Sequence, residues 1–179
     1  MQNKANVVNM SFDLSSSSPA LSKVVSFANK ANVVLVAAAG NEDTSARVYP
    51  ASMNGYVVGV ASTTNWDTKS SFSYWGSYDV WVAGPGENVI STYPFATYAS
   101  ESGTSFSAPL VAGTVALMLS AKPSGLNQSQ AASALSHAIL LTPNLNHGRL
   151  DVYQAVSAWE NASSSSSGSS SGSCLLLCL

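Results

Sequence analysis

A hydroxyl-rich segment leads directly into an apolar stretch at residues 103–121, GTSFSAPLVAGTVALMLSA. Ser105 stands at the start of the helix that this stretch predicts, where unbonded N–H groups and the helix dipole stabilise a developing negative charge. Pro109 agrees with a helix start here, because the N–H that it lacks would have bonded the carbonyl of Ser105. A serine in this place is either a helix cap or a nucleophile, and on this feature alone a cap is the commoner case.

A second polar group, Asn41, ends the apolar run VVLVAAAGNE. Its amide can donate a hydrogen bond and, beside the backbone N–H of Ser105, would provide two donors to an oxyanion. The alternative is an ordinary Gly-Asn turn after a strand. Each of the two signals is weak when taken singly.

The elements that would position these residues follow an α/β pattern. Short valine-rich runs predict strands at residues 6–12, 32–40, 56–62 and 79–84. Helices are predicted at 19–31, from Ser105 to about Ser120, at 128–140 and at 152–159. Near-continuous apolar runs indicate strands buried on both faces, and hence a parallel sheet covered by helices. Such a sheet binds ligands beyond the carboxyl ends of its strands, where Asn41 and Ser105 are predicted to lie.

Composition limits the classes of function. The chain has 179 residues, 46% hydrophobic and 9% charged, with a net charge of -2, which fits one globular domain or part of one. Nucleic-acid binding is not expected, because no run of Lys or Arg occurs. The first residues do not resemble a signal peptide, and no stretch of about 18 apolar residues suggests a membrane span.

The C-terminal residues differ from the rest. We assign residues 1–160 to a folded body and 161–179 to a Ser/Gly-rich disordered tail that ends in SCLLLCL. Both cysteines, Cys174 and Cys178, lie in this tail, so the body has neither a disulfide framework nor a thiolate metal site. The terminus fits a truncated anchor, a lipidation site or the end of an unnatural reading frame, and the sequence does not choose among them.

In their order along the chain, the segments VVNMSF, VVLVAAAGNE, VYPAS, GYVVGVAST and SGTSFSAPLVAGTVALML resemble the subtilases, the subtilisin-like serine proteases. The resemblance covers roughly residues 6–159 and is most specific at Gly103–Pro109. It implies a three-layer α/β fold with a mainly parallel sheet, of which residues 1–160 are the C-terminal part of the catalytic domain. It also implies a serine endopeptidase in which Ser105 is the nucleophile and Asn41 the oxyanion donor.

The resemblance further implies which residues meet a polypeptide substrate. Met10, Ser11, Phe12 and Asp13 would pair with the extended substrate by adding it as a strand. The remaining expected substrate-binding residues are Ala38, Ala39 and Gly40 as the opposite pocket wall, Val48 at the pocket floor, and Thr104. The family often has glycines where Asp13 and Leu14 stand here, which bears on substrate preference.

The family's triad runs Asp, His, Ser along the chain, and this sequence begins after the His segment. We therefore expect a partner, an N-terminal half that carries the Asp and the His, and we expect this chain alone to be inactive. His137 and His147 are interpreted as structural, because a lone histidine is more often structural than catalytic and a base must reach Ser105.

No cofactor and no metal are expected in this chain. Structural calcium is possible in the intact enzyme, but no Asp-rich loop of binding spacing occurs, and Glu42 and Asp79 are interpreted as ordinary polar residues. The family resemblance also implies a secreted protein.

Two other functions stay open at this point. One is a catalytically inactive or split fragment that binds peptides or acts as a scaffold. The other is a serine esterase of different fold, which is disfavoured because Gly-x-Ser-x-Gly is absent.

Overall fold

A sheet of four parallel strands lies at the centre of the protein, in the order β1-β2-β3-β4. The structure is a computed structural model and describes residues 4–123 and 125–162. The strands are β1 (Val7–Met10), β2 (Val34–Ala38), β3 (Val58–Thr63) and β4 (Val82–Pro85). Every residue of β2 and β3 is buried, as expected of central parallel strands covered on both faces.

The helices cover both faces of this sheet. They are α1 (Pro19–Lys30), α2 (Thr104–Ala121), α3 (Gln128–Leu135) and α4 (Val152–Asn161), with a 3₁₀ turn at Pro143–Leu145. Three of them begin at a side-chain cap: Ser18, Asn127 and Asp151 each accept a hydrogen bond from a backbone N–H in the first turn.

Two separate cores show the three layers. On one face the valines of β2, β3 and β4 pack against Val111, Val115 and Met118 of α2 and against α3 and α4. On the other face, Leu35 and Ala37 of β2 pack in the same cluster as Val25 and Ala28 of α1. The predicted three-layer α/β fold with a parallel sheet is therefore confirmed.

One predicted boundary is wrong. The third helix was expected to reach Leu140 but ends at Leu135. Ile139 instead exchanges two backbone hydrogen bonds with Arg149, at 2.8 and 2.9 Å. Because of this pairing the chain leaves the helical path after Leu135, and His137 lies just beyond the end of the helix.

The structure contains a β-hairpin that the sequence did not predict. β5 (Val89–Tyr93) and β6 (Thr97–Glu101) form a separate antiparallel pair that leads into α2. Its turn puts Phe95 and Ala96 at φ +65° and +58°, where glycine and asparagine are the usual residues. The sequence thus lacks the signal by which such a turn is normally found.

Helix α2 alone is long and apolar enough, by length and composition, to cross a membrane among the described residues. It contacts all four strands of the central sheet, and Val111, Val115 and Met118 have no exposed surface. This packing is that of a core helix. The predicted tail lies outside the described residues from residue 163 onward, and the boundary at residue 160 stays a prediction.

We predict that Gly59→Ala destabilises the fold, because a Cβ atom there would lie 1.8 Å from the backbone oxygen of Asp79. Overpacking of this kind costs about 1–3 kcal/mol. The matched control is Gly113→Ala on α2, where a Cβ atom meets nothing within 4 Å and the helix gains about 0.5–1 kcal/mol. Urea unfolding followed by circular dichroism measures both variants, and equal midpoints would contradict the prediction.

Candidate active site

The amino end of α2 meets the carboxyl end of β1, and this contact places Ser105. The Ser11 hydroxyl, directly after β1, donates a 2.7 Å hydrogen bond to the carbonyl oxygen of Ser105. The Ser105 hydroxyl lies 3.4 Å from the carbonyl oxygen of Ser11 and is directed to it as a donor. Ser105 is partly exposed in the second position of the helix, so its Oγ is both anchored and accessible.

Pro109 explains why Ser11 is needed. A residue with an N–H at this position would donate to the carbonyl of Ser105, and proline cannot. The carbonyl left without its helical donor accepts the Ser11 hydroxyl instead. The proline predicted to mark the helix start therefore also binds the helix to the sheet.

Asn41 is fixed against the first residue of α2. Its side-chain oxygen accepts the Thr104 N–H at 2.9 Å and the Thr104 hydroxyl at 3.0 Å. Thr104 Oγ1 in turn accepts the N–H of Gly40 at 3.2 Å. Because an N–H can bond only to the oxygen of the amide, these contacts determine the amide's orientation and direct its NH₂ group away from Thr104. A donor held in this way needs no reorganisation when negative charge develops nearby.

Gly86 contacts the residues at the start of α2. Its carbonyl accepts the Gly103 N–H at 2.8 Å, and a Cβ atom there would lie 2.2 Å from the Ser107 hydroxyl. That hydroxyl, which is fully buried, donates to the carbonyl of Gly84 at 2.9 Å. The role of this loop did not follow from the sequence, because no local pattern singles out Gly86 as a partner of the helix start.

Neither histidine lies at this edge of the sheet. His147 packs against Trp81, with ring centroids 4.4 Å apart, and Trp81 precedes β4 at the opposite, amino edge; burial lowers the pKa of His147. His137 Nδ1 lies 3.2 Å from the carbonyl of Ser133 in its own helix region. Within the described residues, the hydrogen-bond partner of the Ser105 hydroxyl is a carbonyl, which cannot accept its proton in a reaction.

The expected substrate-binding residues form two walls. Met10 is buried at the end of β1, and Ser11, Phe12 and Asp13 are exposed beyond it. On the other side Ala38, Ala39 and Gly40 are all buried at the end of β2. The two groups follow adjacent strands and lie at the same end of the sheet, and the second group is covered. Their role in binding a substrate stays a prediction.

The residue that contacts this second wall is Tyr74, which the sequence analysis did not single out. A Cβ atom on Gly40 would lie 3.1 Å from three atoms of the Tyr74 ring, and the Tyr74 N–H donates to the carbonyl of Gly40 at 3.1 Å. Burial, followed by the hydrogen bond to Glu42 and the charge of that carboxylate, raises the pKa of Tyr74 to about 12. The phenol is therefore neutral and a donor.

Val48, the expected pocket floor, is buried in the same core cluster as Tyr74. Its N–H donates at 3.0 Å to Asp79, which also accepts the hydroxyl of Ser52. Asp79 is buried, and burial raises its pKa despite these bonds. Its carboxylate thus has a structural role beneath Val48.

Metal ligands were also considered. In the part of the chain that the structure describes, no group of three His, Cys, Asp or Glu side chains is placed to hold a metal ion. The possible calcium of the intact enzyme therefore stays a prediction.

We predict that Ser11→Ala destabilises the protein by about 0.5–1.5 kcal/mol, the usual net value of one hydrogen bond. In Pro109→Ala the helical N–H returns and can bond the Ser105 carbonyl, so Ser11→Ala should cost less in that background. Denaturant unfolding of the four proteins of this double-mutant cycle measures the coupling. Additive effects would show that Ser11 does not replace the missing helical donor.

A second prediction concerns stability at high pH. An exposed tyrosine in the unfolded chain loses its proton near pH 10, whereas folded Tyr74 keeps it to about pH 12. Across this window the folded state binds more protons, so the free energy of unfolding should fall as pH rises. Tyr74→Phe should remove this loss of stability, so the free energy of unfolding, measured by urea unfolding from pH 9 to 12, should depend less on pH. A slope unchanged by the substitution would contradict the burial of a neutral phenol.

Comparisons with known proteins identify the family of the chain. The model of the subtilase family matches residues 1–174. Thermitase from Thermoactinomyces vulgaris is 40% identical over 153 residues, which cover 85% of this chain and 54% of thermitase. Subtilisin DY from Bacillus licheniformis is 41% identical over 139 residues, covering 75% of this chain and 50% of the relative.

Solved structures give the same result. Proteases from Pseudoalteromonas arctica PAMC 21717 superpose with a TM-score of 0.82 at 31% identity, over 89% of this chain and 52% of that one. The self-cleaved protease domain of PatA superposes with a TM-score of 0.80 at 27% identity, over 89% of this chain and 64% of that one. The chain spans about half the length of the curated relatives that it matches. By sequence and by fold, the chain belongs to the subtilase family.

Proposed function

We propose that this chain supplies the nucleophile and the oxyanion site of a serine endopeptidase. The observation that carries the proposal is the fixed pair at the amino end of α2, Ser105 beside an Asn41 amide oriented by Thr104. Because the chain spans about half of its relatives, we further propose that the general base, a histidine oriented by an aspartate, comes from an N-terminal segment homologous to the part of those relatives that it does not match.

The reaction follows from these positions. Ser105 Oγ bonds the carbonyl carbon of the scissile peptide while its proton passes to the histidine of the other segment. The carbonyl oxygen becomes an oxyanion, which accepts hydrogen bonds from the Asn41 NH₂ group and the Ser105 backbone N–H. The C–N bond then breaks, the histidine returns the proton to the leaving amine, and water hydrolyses the acyl-enzyme by the same steps.

A face of α2 is suited to contact the segment that carries the base. Leu110 and Leu117 are 44% and 54% exposed on a helix whose other face is fully buried. They line a cavity of about 410 Å³ together with Pro109 and Gly113, the latter with no neighbour where a Cβ atom would be. In addition, among the described residues β1 pairs only with β2, so its other edge can accept a further strand. The exposed face begins at Pro109, one helical turn after Ser105, and β1 leads into Ser11, which bonds Ser105.

The substrate is proposed to be a polypeptide in extended form. Ser11, Phe12 and Asp13 are exposed beyond the last residue of β1, and an extended backbone segment of this kind binds a peptide by main-chain hydrogen bonds. A secreted location, inferred from the family alone, remains a proposal as well.

Labelling with a fluorophosphonate probe tests the nucleophile. We expect negligible labelling of this chain alone, because a serine without a base keeps the high pKa of an alcohol. Adding an N-terminal segment that carries the Asp and the His, for example that of thermitase, should produce labelling. The label should disappear in Ser105→Ala and persist in Ser129→Ala, a control on an exposed serine of α3.

Two results would count against this proposal. Strong labelling of the chain alone would mean that a base is present within it. Peptide binding by the reconstituted protein without labelling would instead favour the alternative of an inactive peptide-binding module.

The oxyanion role has its own test in the reconstituted enzyme. Asn41→Ala should lower kcat by about 10²–10³, the loss seen when one such donor is removed in subtilisin, so this magnitude is an analogy within the family. KM should change little, because the amide bonds the developing charge and not the ground state. Asn54→Ala, at an exposed asparagine, is the control. An increase in KM at constant kcat would make Asn41 a substrate-binding or turn residue.

A further inference from the structure

The ring of Tyr74 lies against the end of β2, where the second pocket wall is expected. Three ring atoms are equidistant, at 3.1 Å, from the position that a Gly40 Cβ atom would take. The face of the ring therefore covers the backbone of Gly40. Only a glycine leaves room for this contact, and Gly40 also has a φ of +110° that other residues rarely adopt.

Burial of the wall agrees with this placement. Ala39 is 0% exposed and packs in the same apolar cluster as Tyr74, although a wall open to substrate would present part of its surface to solvent. Tyr74 is itself only 6% exposed and belongs to the same apolar cluster as Met10, Ala39 and Val48. The ring thus shares one packed region with residues from both walls and from the expected floor.

Three carboxylates lie near enough to act on the hydroxyl of Tyr74. Glu42 follows β2, Asp13 follows β1 and Asp79 lies beneath Val48, and after burial they contribute to raising the pKa of the phenol. The ring therefore stays neutral in this packed region.

We propose that Tyr74 closes the primary specificity pocket between residues 10–13 and 38–40 and restricts the side chain before the scissile bond to a small one. This inference rests on the proposed function, since it concerns the same substrate site. The backbone hydrogen bond from Tyr74 to Gly40 and the burial of the side chain hold the ring in this position.

The restriction favours small substrate side chains over aromatic ones. An aromatic ring of a substrate would need the volume that the Tyr74 ring occupies, whereas an alanine methyl group would not. Each misfit or added methylene in such a pocket is worth about 10–200-fold in discrimination. The branched side chain of Val48 at the expected pocket floor would shorten the pocket and leave room for Leu, Met or Ala, and Tyr74 narrows this choice to Ala.

Binding of cleavage products tests the inference without requiring catalysis. Acetylated tetrapeptides ending in Ala-Ala-Pro-Ala and Ala-Ala-Pro-Phe are titrated into the full chain and followed by NMR. We expect the peptide ending in Ala to bind at least about tenfold more tightly than the peptide ending in Phe. Tyr74→Ala should reverse this order, and Tyr74→Phe, which keeps the ring, should preserve it. Tyr153→Ala, at a tyrosine of α4 that is 75% exposed, should behave as the wild type.

The same peptides, as p-nitroanilides, are then offered to the reconstituted enzyme. Selective binding without cleavage would support Tyr74 as the pocket residue while refuting the proposed protease function. Cleavage of both peptides with equal kcat/KM, unchanged in Tyr74→Ala, would overturn the inference and leave the protease function intact. A Tyr74→Ala variant that gains no binding of the Phe peptide also overturns it. If that variant does not melt cooperatively, Tyr74→Leu replaces it, with a smaller expected gain for Phe.

Discussion

The arrangement of the site depends on one constraint: the apolar helix α2, which packs across the central sheet, must have its first turn bonded by groups outside the helix. The first N–H groups of any helix lack internal partners, and each polar group left unsatisfied when buried costs about 1–3 kcal/mol. In α2 the groups that need a partner outside the helix are the N–H of Gly103, the N–H of Thr104 and the carbonyl of Ser105. Gly86, Asn41 and Ser11 meet them, and these residues follow the carboxyl ends of β4, β2 and β1.

The bonds that anchor the helix also arrange the chemistry. The contact between Thr104 and Asn41 fixes the first turn and, at the same time, sets which way the Asn41 amide points. Likewise Pro109 leaves a carbonyl free, and the hydroxyl that bonds it holds Ser105 against the end of β1. Stability and the geometry of the proposed catalytic pair are therefore properties of the same hydrogen bonds. Loss of one should affect both.

Much of the fold was predictable because its signals are local. Continuous valine runs located the four strands, and the pattern of hydroxyls before an apolar stretch located Ser105 at the start of α2. The parts that were not predicted depend on contacts between distant residues. Helix α3 ends early because Ile139 pairs with Arg149, the hairpin turns at Phe95 and Ala96 without glycine, and Tyr74 lies on Gly40 through a backbone bond that no local pattern specifies.

The central claim, that Ser105 and Asn41 form one oxyanion-stabilising site, is tested most directly by a crystal structure of the reconstituted protein after reaction with a peptide boronate. The account predicts a bond from boron to Ser105 Oγ, with one boronate oxygen about 2.7–3.1 Å from both Asn41 Nδ2 and the Ser105 backbone nitrogen. A boronate bonded to Ser105 whose oxygens make no contact with Asn41 would contradict it, as would an adduct on a different residue.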